Sequence, residues 1–367
     1  MRVAIVHDWL HSKVGGAESV LFELVKHFPQ ADVYALTYNE KLFRPYMGMR
    51  HVRTSFLNKF PQFMKDRPQF FLPFIKPAVE SFDLSDYDLI VSSSTAWSKN
   101  VKVAEGVRHI SYCNSPARML WDSWPGYMFT KARHVGPVRK FFITKLASKL
   151  RLWDFYATEN VTKLIGNSNY IARRIKKFYG KDALVLYPPV DAELHDHNSS
   201  QEPYWLVLST LSRYKNIELA ITAFAASGKK LIIAGEGPDR ARLERLAKGS
   251  SNIVFAGRVS SEEKFELFSG AEAFIFPSIE DFGITPIEAL SCGTPVVALR
   301  GGGLAETVTN NKTGVFFSTA DADALNAAVE KSIKISWDRS AMQQSALAFS
   351  KKAFHEKLDK IVVEVMA

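Results

Sequence analysis

Ala273-Phe274-Ile275-Phe276-Pro277 runs into Glu280-Asp281-Phe282-Gly283-Ile284-Thr285-Pro286-Ile287-Glu288: an apolar run of strand type, a glycine-bearing turn and a helix start. Thr285 suits a helix N-cap, Pro286 the first helical position, and Glu288 the carboxylate of a capping box. A strand, a glycine turn and a helix N-terminus together make a site for an anion, because the first amide N–H groups have no partner inside the helix. Glu280 and Glu288 cannot hold a phosphate, but they can accept hydrogen bonds from hydroxyls. The stretch therefore predicts a ligand with phosphates at one place and sugar hydroxyls on either side. The plainer alternative is a Glu288 that only closes the capping box and a solvated Glu280.

Outward from this stretch the chain alternates strands and helices. In the first half, Val3–His7, Ala31–Thr37, Leu89–Ser92, Arg108–Cys113 and Lys163–Gly166 read as strands, and Gly16–His27 as a helix with Val20, Leu21, Leu24 and Val25 on one face. The pattern restarts with strand Trp205–Leu208. Helix 215–226, strand Lys230–Ala234, helix 238–248, strand Ile253–Phe255, helix 261–269, strand 273–276, helix 286–292 and strand 295–298 follow. Apolar strands alternating with helices imply parallel sheets covered on both faces, so two runs imply two doubly wound α/β domains. Two domains also suit 367 residues. The join falls at Tyr187-Pro188-Pro189-Val190-Asp191 and the polar run to Glu202. The expected domains are 1–187 and 188–345, with a helical segment at 346–367.

The N-terminus is too short in apolar residues for a signal peptide, and no run approaches the roughly 18 apolar residues of a membrane span. Cys113 and Cys292 are far apart and have no metal-ligand spacing, as expected of buried thiols in a reducing compartment. The net charge of +9 is uneven: residues 1–180 carry 27 Lys and Arg against 14 Asp and Glu, whereas 181–367 carry 20 against 24. A basic first half implies an anionic partner. Residues 56–77 and Arg139–Lys149 interleave aromatic and basic side chains, and they predict contact with anionic lipid. The alternative is core aromatics with solubilising lysines. No nucleic-acid motif is visible, and a dehydrogenase is disfavoured because Gly15-Gly16 does not fit Gly-x-Gly-x-x-Gly.

The stretch 280–288 resembles the Glu-x7-Glu motif of retaining glycosyltransferases of family 4, as found in bacterial polysaccharide mannosyl- and glucosyltransferases. Ala289-Leu290-Ser291-Cys292-Gly293-Thr294-Pro295-Val296-Val297-Ala298 and Gly301-Gly302-Gly303-Leu304-Ala305-Glu306 resemble the segments that follow it. His7-Asp8-Trp9-Leu10 with Gly15-Gly16-Ala17-Glu18 is similar to the family's opening, and Tyr112-Cys113-Asn114-Ser115-Pro116-Ala117-Arg118-Met119-Leu120-Trp121-Asp122 to a further motif. The resemblance implies the glycosyltransferase-B fold, with two Rossmann-like domains facing a cleft and the C-terminal helix crossing back to the first. It implies hexosyl transfer from a GDP- or UDP-sugar without a metal or other cofactor, to a glycan or polyprenyl-diphosphate-linked acceptor. With the basic first half and the buried thiols, the expected place is cytoplasmic, on the inner face of the membrane.

By the same resemblance Glu280 binds the donor sugar and Glu288 the ribose, while the amides of Gly283, Ile284 and Thr285 meet the diphosphate. Lys215 clamps that diphosphate too. Thr210 stands where the family has Arg, and Arg213 is the candidate to replace that charge. Gly235, Arg258 and Val259 fall in turns beside the nucleotide. Gly15 and Gly16 lie against the diphosphate or the acceptor, and Glu18, Asn114 and Arg118 fall on the acceptor side. Asn114 occupies a family His position; it can donate and accept hydrogen bonds but cannot carry a proton charge near pH 7. A catalytically weak or inactive nucleotide-sugar-binding protein is the alternative that Asn114 and Thr210 favour.

Overall fold

The computed structural model describes residues 1–11, 14–48, 50–65, 67–122, 137–195 and 202–367. Asp66 and the side chains of Pro68, Gln69, Arg139 and Lys140, which belong to the basic aromatic segments, lie outside the described residues. The chain divides into two compact units, Met1–Pro188 with His355–Ala367, and Pro189–Phe354.

The first unit is built on β1 (Val3–Leu10), β2 (Asp32–Tyr38), β3 (Val52–Thr54), β4 (Leu89–Ser94), β5 (Arg108–Cys113), β6 (Lys163–Gly166) and β7 (Leu184–Val185), in the order β3-β2-β1-β4-β5-β6-β7. The second is built on β8 (Trp205–Leu208), β9 (Leu231–Ala234), β10 (Ile253–Gly257), β11 (Ala273–Phe276), β12 (Val296–Leu299) and β13 (Gly314–Phe317), in the order β10-β9-β8-β11-β12-β13. Every pairing in both sheets is parallel. Parallel strands are buried on both faces, which is why β4, β11 and β12 read as unbroken apolar or small-residue runs and are buried throughout. Each unit thus repeats the doubly wound order, in which the chain reverses direction beside the first strand. That reversal falls between β1 and β4 in one unit and between β8 and β11 in the other.

The helices that matter below are α1 (Gly16–His27), α2 (Pro137–Ala157), α3 (Asn169–Tyr179), α4 (Ile217–Ser227), α5 (Ser261–Ser269), α6 (Ile284–Ser291), α7 (Ala322–Ile333) and α8 (Lys351–Met366). In the second unit Phe224 of α4 and Leu325 and Val329 of α7 pack on the sheet with Val207, Ile233, Ile275 and Val297, all essentially without exposed surface. Burial of each such side chain contributes about 1.5–3 kcal/mol.

Strands β3, β7 and β13 had no expectation in the sequence; β3 and β7 are only three and two residues long. The prolines break 56–79 into short helical turns, as expected. The helical tail is two helices, Arg339–Leu347 and α8, separated where Val190 donates its N–H to the Phe349 carbonyl at 2.9 Å.

In the first unit α8 meets α1 through titratable groups. The His27 and His355 rings stack, with their Nδ1 atoms 3.0 Å apart. His355 Nε2 is 2.9 Å from Glu23, Lys26 is 2.7 Å from Glu23, and His27 Nε2 is 3.2 Å from Asp359. Burial is the largest influence on His27 and lowers its pKa; Asp359 opposes this and His355 adds to it. Burial alone would raise Glu23, but hydrogen bonds from Lys26 and His355 outweigh it and leave the carboxyl below its ordinary value. A base with a depressed folded pKa stabilises above the ordinary histidine range and loses that contribution as pH falls through the folded value; Glu23 adds a further loss at lower pH. Amides of α8 are therefore expected to lose protection between pH 7.5 and pH 5. Hydrogen exchange corrected for its intrinsic pH dependence measures this, and equal protection at both values would refute it.

Candidate functional site

In an open doubly wound sheet, ligands bind at the carboxyl ends of the strands where the strand order reverses. In the second unit this point is made by the loop after β8 and the loop after β11. Lys215 and Glu280 form a close ion pair across it, both side chains being largely buried. Ser278 donates its hydroxyl to the same Glu280 oxygen at 3.1 Å. Asn216 ties the two loops further by donating its side-chain amide to the Pro277 carbonyl at 3.2 Å. Its φ of +53° is the left-handed region that asparagine tolerates. The loop after β12 packs backbone to backbone on Glu280: a Cβ on Gly302 would lie 2.0 Å from the Glu280 carbonyl oxygen, which accepts the Gly303 N–H at 3.0 Å. The loop after β9 approaches the loop after β8 as closely, with a Cβ on Gly235 falling 2.0 Å from the Ser209 carbonyl oxygen.

The helix start differs from the expectation. Helix α6 begins at Ile284, with Gly283 at the N-cap (φ +93°) and no side-chain cap. Thr285 and Pro286 are therefore the second and third helical residues. Glu288 lies too far into the helix for a capping box. The reason is Gly283, which turns the chain into the helix before a threonine cap is needed. Freed from capping, the Glu288 side chain is buried, and its Oε1 accepts a bond from Lys264 of α5 at 2.7 Å. Burial is the largest influence on this carboxyl and raises its pKa; Lys264 pulls in the opposite direction, against Asp191, with Lys351 assisting.

The structure thus pairs Lys215 with Glu280, and Gly283, Ile284 and Thr285 follow in the same loop at the start of α6. Gly235, whose N–H bonds the Gly257 carbonyl at 2.6 Å, and Arg258 and Val259 line the same sheet edge after β9 and β10. Thr210 is exposed in the loop after β8. Arg213 does not join the pair: its side chain is 82% exposed and its Nε lies 3.9 Å from Asp239. Asn216 and Lys264 were missed; an asparagine in a strand-to-helix turn was the readable signal for the first, and nothing local signals the second. Cys113 and Cys292 are both buried and not joined in a disulfide, and burial pushes the Cys292 thiol up to about 11. That keeps it protonated and inert.

In the first unit the corresponding edge is made by the ends of β1, β4 and β5. Gly15 and Gly16 open α1, and Glu18 reaches back to accept the Gly15 N–H at 2.8 Å, so it serves as the helix cap. Hydrogen bonds and charge from His7 outweigh burial and hold the Glu18 carboxyl below its ordinary value. Asn114 is buried; its N–H bonds the Ser94 carbonyl at 2.7 Å and its side-chain amide bonds Ser93 Oγ at 3.3 Å. Arg118 is exposed at the start of a short helix.

The turn after β4 is filled from within. Asp8 of β1, fully buried, accepts hydrogen bonds from the backbone N–H groups of Thr95 (2.6 Å), Ala96 (2.8 Å), Trp97 (2.9 Å) and Ser98 (2.6 Å), and from the Thr95 hydroxyl (2.6 Å). Consecutive amides form an anion-binding concavity, and here the protein's own carboxylate occupies it. Just beyond, Lys99 and Asp154 of α2 form a buried close ion pair. Trp121 Nε1 (2.7 Å) and the hydroxyl of Tyr179 at the end of α3 (2.8 Å) donate to the other Asp154 oxygen.

Residues 14–194 match the family model described as Glycosyltransferase Family 4, and residues 191–349 match Glycosyl transferases group 1. The chain is 26% identical to an alpha-1,3/1,6-mannosyltransferase of Candida albicans, over 68% of this chain and 73% of the relative. It is 33% identical to a GDP-mannose-dependent alpha-(1-6)-phosphatidylinositol monomannoside mannosyltransferase of Mycolicibacterium smegmatis, over 44% of this chain and 50% of the relative. It spans 62% of the length of an archaeal glycosyltransferase that it also matches. Among solved structures, an Anabaena protein in complex with UDP superposes with a TM-score of 0.69 at 17% identity, covering 99% of this chain and 100% of that one. That likeness shows the fold.

Proposed function

The chain belongs to the glycosyltransferases of the family 4 and group 1 type, with the two-domain glycosyltransferase-B fold, and from that premise we propose that it transfers a hexose of mannosyl type from a nucleotide diphosphate sugar to a glycan or lipid-linked acceptor, with retention of configuration. The observation that carries this is the Lys215–Glu280 pair beside the start of α6, at the reversal of the second sheet. It supplies a fixed cation and free helix amides for a leaving diphosphate, and a carboxylate for sugar hydroxyls. In the structure the two charges neutralise each other. Donor binding then exchanges that partner: the diphosphate takes Lys215, and Glu280 turns to hydroxyls. Charge on the leaving group is met by Lys215 and the amides, so we propose that the donor is held without a divalent metal. The mannosyl relatives favour a mannose donor, and the UDP-bound neighbour favours the same nucleotide site.

The proposed place of action is an anionic membrane surface on the cytoplasmic side. Among the described residues no helix is long and apolar enough to cross a membrane. Phe56, Phe63, Phe70 and Phe74 are exposed on the helical turns of 56–79, as are Phe141 and Phe142 on α2. Lysines lie among them, and each basic residue near an anionic surface contributes about 1 kcal/mol.

The test is nucleotide release from GDP-mannose, UDP-glucose and UDP-galactose, in chelator and in magnesium, with a liposome-flotation arm. Expected is turnover of one donor at equal rates in both buffers, and flotation only with anionic lipid. Binding without turnover would favour the second reading, a nucleotide-sugar-binding protein, for which Asn114 and Thr210 at the positions of a family His and Arg speak. No binding of any donor or its nucleotide would remove both readings.

A further inference from the structure

Glu288 is 7% exposed, and among the described residues of the second unit it and Asp239 are the buried carboxylates. A buried carboxylate without a partner is costly and tends to take up a proton. A protonated carboxyl presents its own donor and is no longer a two-oxygen acceptor for a pair of vicinal hydroxyls. The partner here is Lys264, whose ammonium lies 2.7 Å from Glu288 Oε1 and 4.4 Å from the centre of the Phe265 ring. Only 19% of the Lys264 side chain is exposed.

The placement of this lysine runs against the local rules for a helix. It is the fourth residue of α5, whose N-cap is Ser260 and whose first turn carries Glu262 and Glu263 in the arrangement that the helix dipole favours. A cation at this end of a helix gains nothing from the dipole. Residues that break a local preference without local gain mark functional positions. The other groups facing Glu288 are weaker or neutral. Asp191 raises its pKa and Lys351 lowers it. The neighbouring Cys292 thiol stays protonated, since burial pushes it up to about 11.

We propose that Lys264 is a positioning residue of the nucleotide site: it orients the Glu288 carboxylate and keeps it an acceptor for the two ribose hydroxyls of a nucleoside diphosphate. The inference rests on the proposed ribose role of Glu288. It adds that this recognition depends on a cation from a neighbouring helix, so that nucleotide affinity becomes a function of pH when the cation is removed. The direction follows from the two causes. Burial holds the Glu288 pKa up, and Lys264 is the principal opposing influence. Without Lys264 the pKa rises further, so that a larger share of the carboxyl is protonated at a given pH, and ionisation returns as pH is increased.

The experiment is calorimetric titration of the full chain with UDP and with GDP between pH 6 and pH 9, for wild type, Glu288→Gln, Lys264→Met and Lys264→Arg. Lys264→Gln serves as a second uncharged variant if Lys264→Met fails to fold. Lys264→Met is expected to bind the nucleotide about tenfold more weakly at pH 7, the order of one lost charge-assisted contact. It is expected to recover most of the loss toward pH 9, while wild type stays nearly flat. Lys264→Arg, which keeps the charge, should restore most of the affinity at pH 7. A merely structural role would weaken binding equally at every pH. If Glu288→Gln binds like wild type, the ribose role itself fails and the inference with it. If Glu288→Gln is weak but Lys264→Met follows the wild-type pH profile, the inference alone is wrong. No binding of either nucleotide by wild type overturns both.

Discussion

Lys215→Met is expected to lower kcat/KM for the nucleotide-sugar donor by about a thousandfold. Loss of one group that stabilises developing charge costs about 10²–10³ in rate. The upper end applies here because Thr210 carries no charge and Arg213 is exposed beside Asp239. Lys215 is then the only side-chain cation among the described residues brought against Glu280 at the sheet reversal. The variant also leaves the partly buried Glu280 without its partner, which raises the donor's cost of entering the site. Lys215→Arg should recover part of the activity at most, because a planar guanidinium does not reproduce a compact ammonium. Steady-state nucleotide release, with a thermal melt to verify folding, measures the effect. A loss below about tenfold would show that the diphosphate charge is met elsewhere.

The second large effect is on stability. Asp8→Asn is nearly isosteric, yet it should destabilise the first unit by about 3–5 kcal/mol, because it disrupts at least two hydrogen bonds to a charged group worth about 1.5–3 kcal/mol each. Both Asp8 oxygens face donors, four backbone amides and one hydroxyl. An asparagine turns one acceptor into an NH2 that confronts those N–H groups, leaving buried donors unsatisfied. A unit of this size should lose about 10 °C or more in Tm. Urea unfolding followed by tryptophan fluorescence tests this, since Trp97 belongs to the turn that Asp8 holds. A midpoint shift worth less than about 1 kcal/mol would mean that the turn satisfies its amides another way.

Those two residues mark how far the sequence could be read. The parallel architecture was legible because buried parallel strands leave an unmistakable record: Ala273–Phe276, Arg108–Cys113 and Trp205–Leu208 have the expected bounds. Glu280 was legible in the strand-turn-helix pattern of 273–288, whereas Lys215 was reached only through the family resemblance of its segment. Asp8 was not singled out, because its partners lie 87 to 90 residues away and are backbone amides, which carry no side-chain signature. Lys264 was invisible for a similar reason, since only the packing of α5 on α6 reveals its partner. The capping misreading of Glu288 has a local cause. Thr-Pro-x-Glu has the composition of a helix start, but a glycine two residues earlier starts the helix first.

The allotment of α8 has a consequence for synthesis on the ribosome. Residues 355–367 belong to the first unit although residues 189–354, the whole of the second, intervene. The first unit emerges early yet lacks its closing helix until translation of that segment is complete. Throughout that interval the face of α1 bearing Glu23 and His27 stands uncovered, as a surface a chaperone could hold. A nascent chain paused after residue 354 should therefore have its second unit's full sequence available while the first remains protease-sensitive along α1, reversing the usual rule that the earlier-made domain matures first.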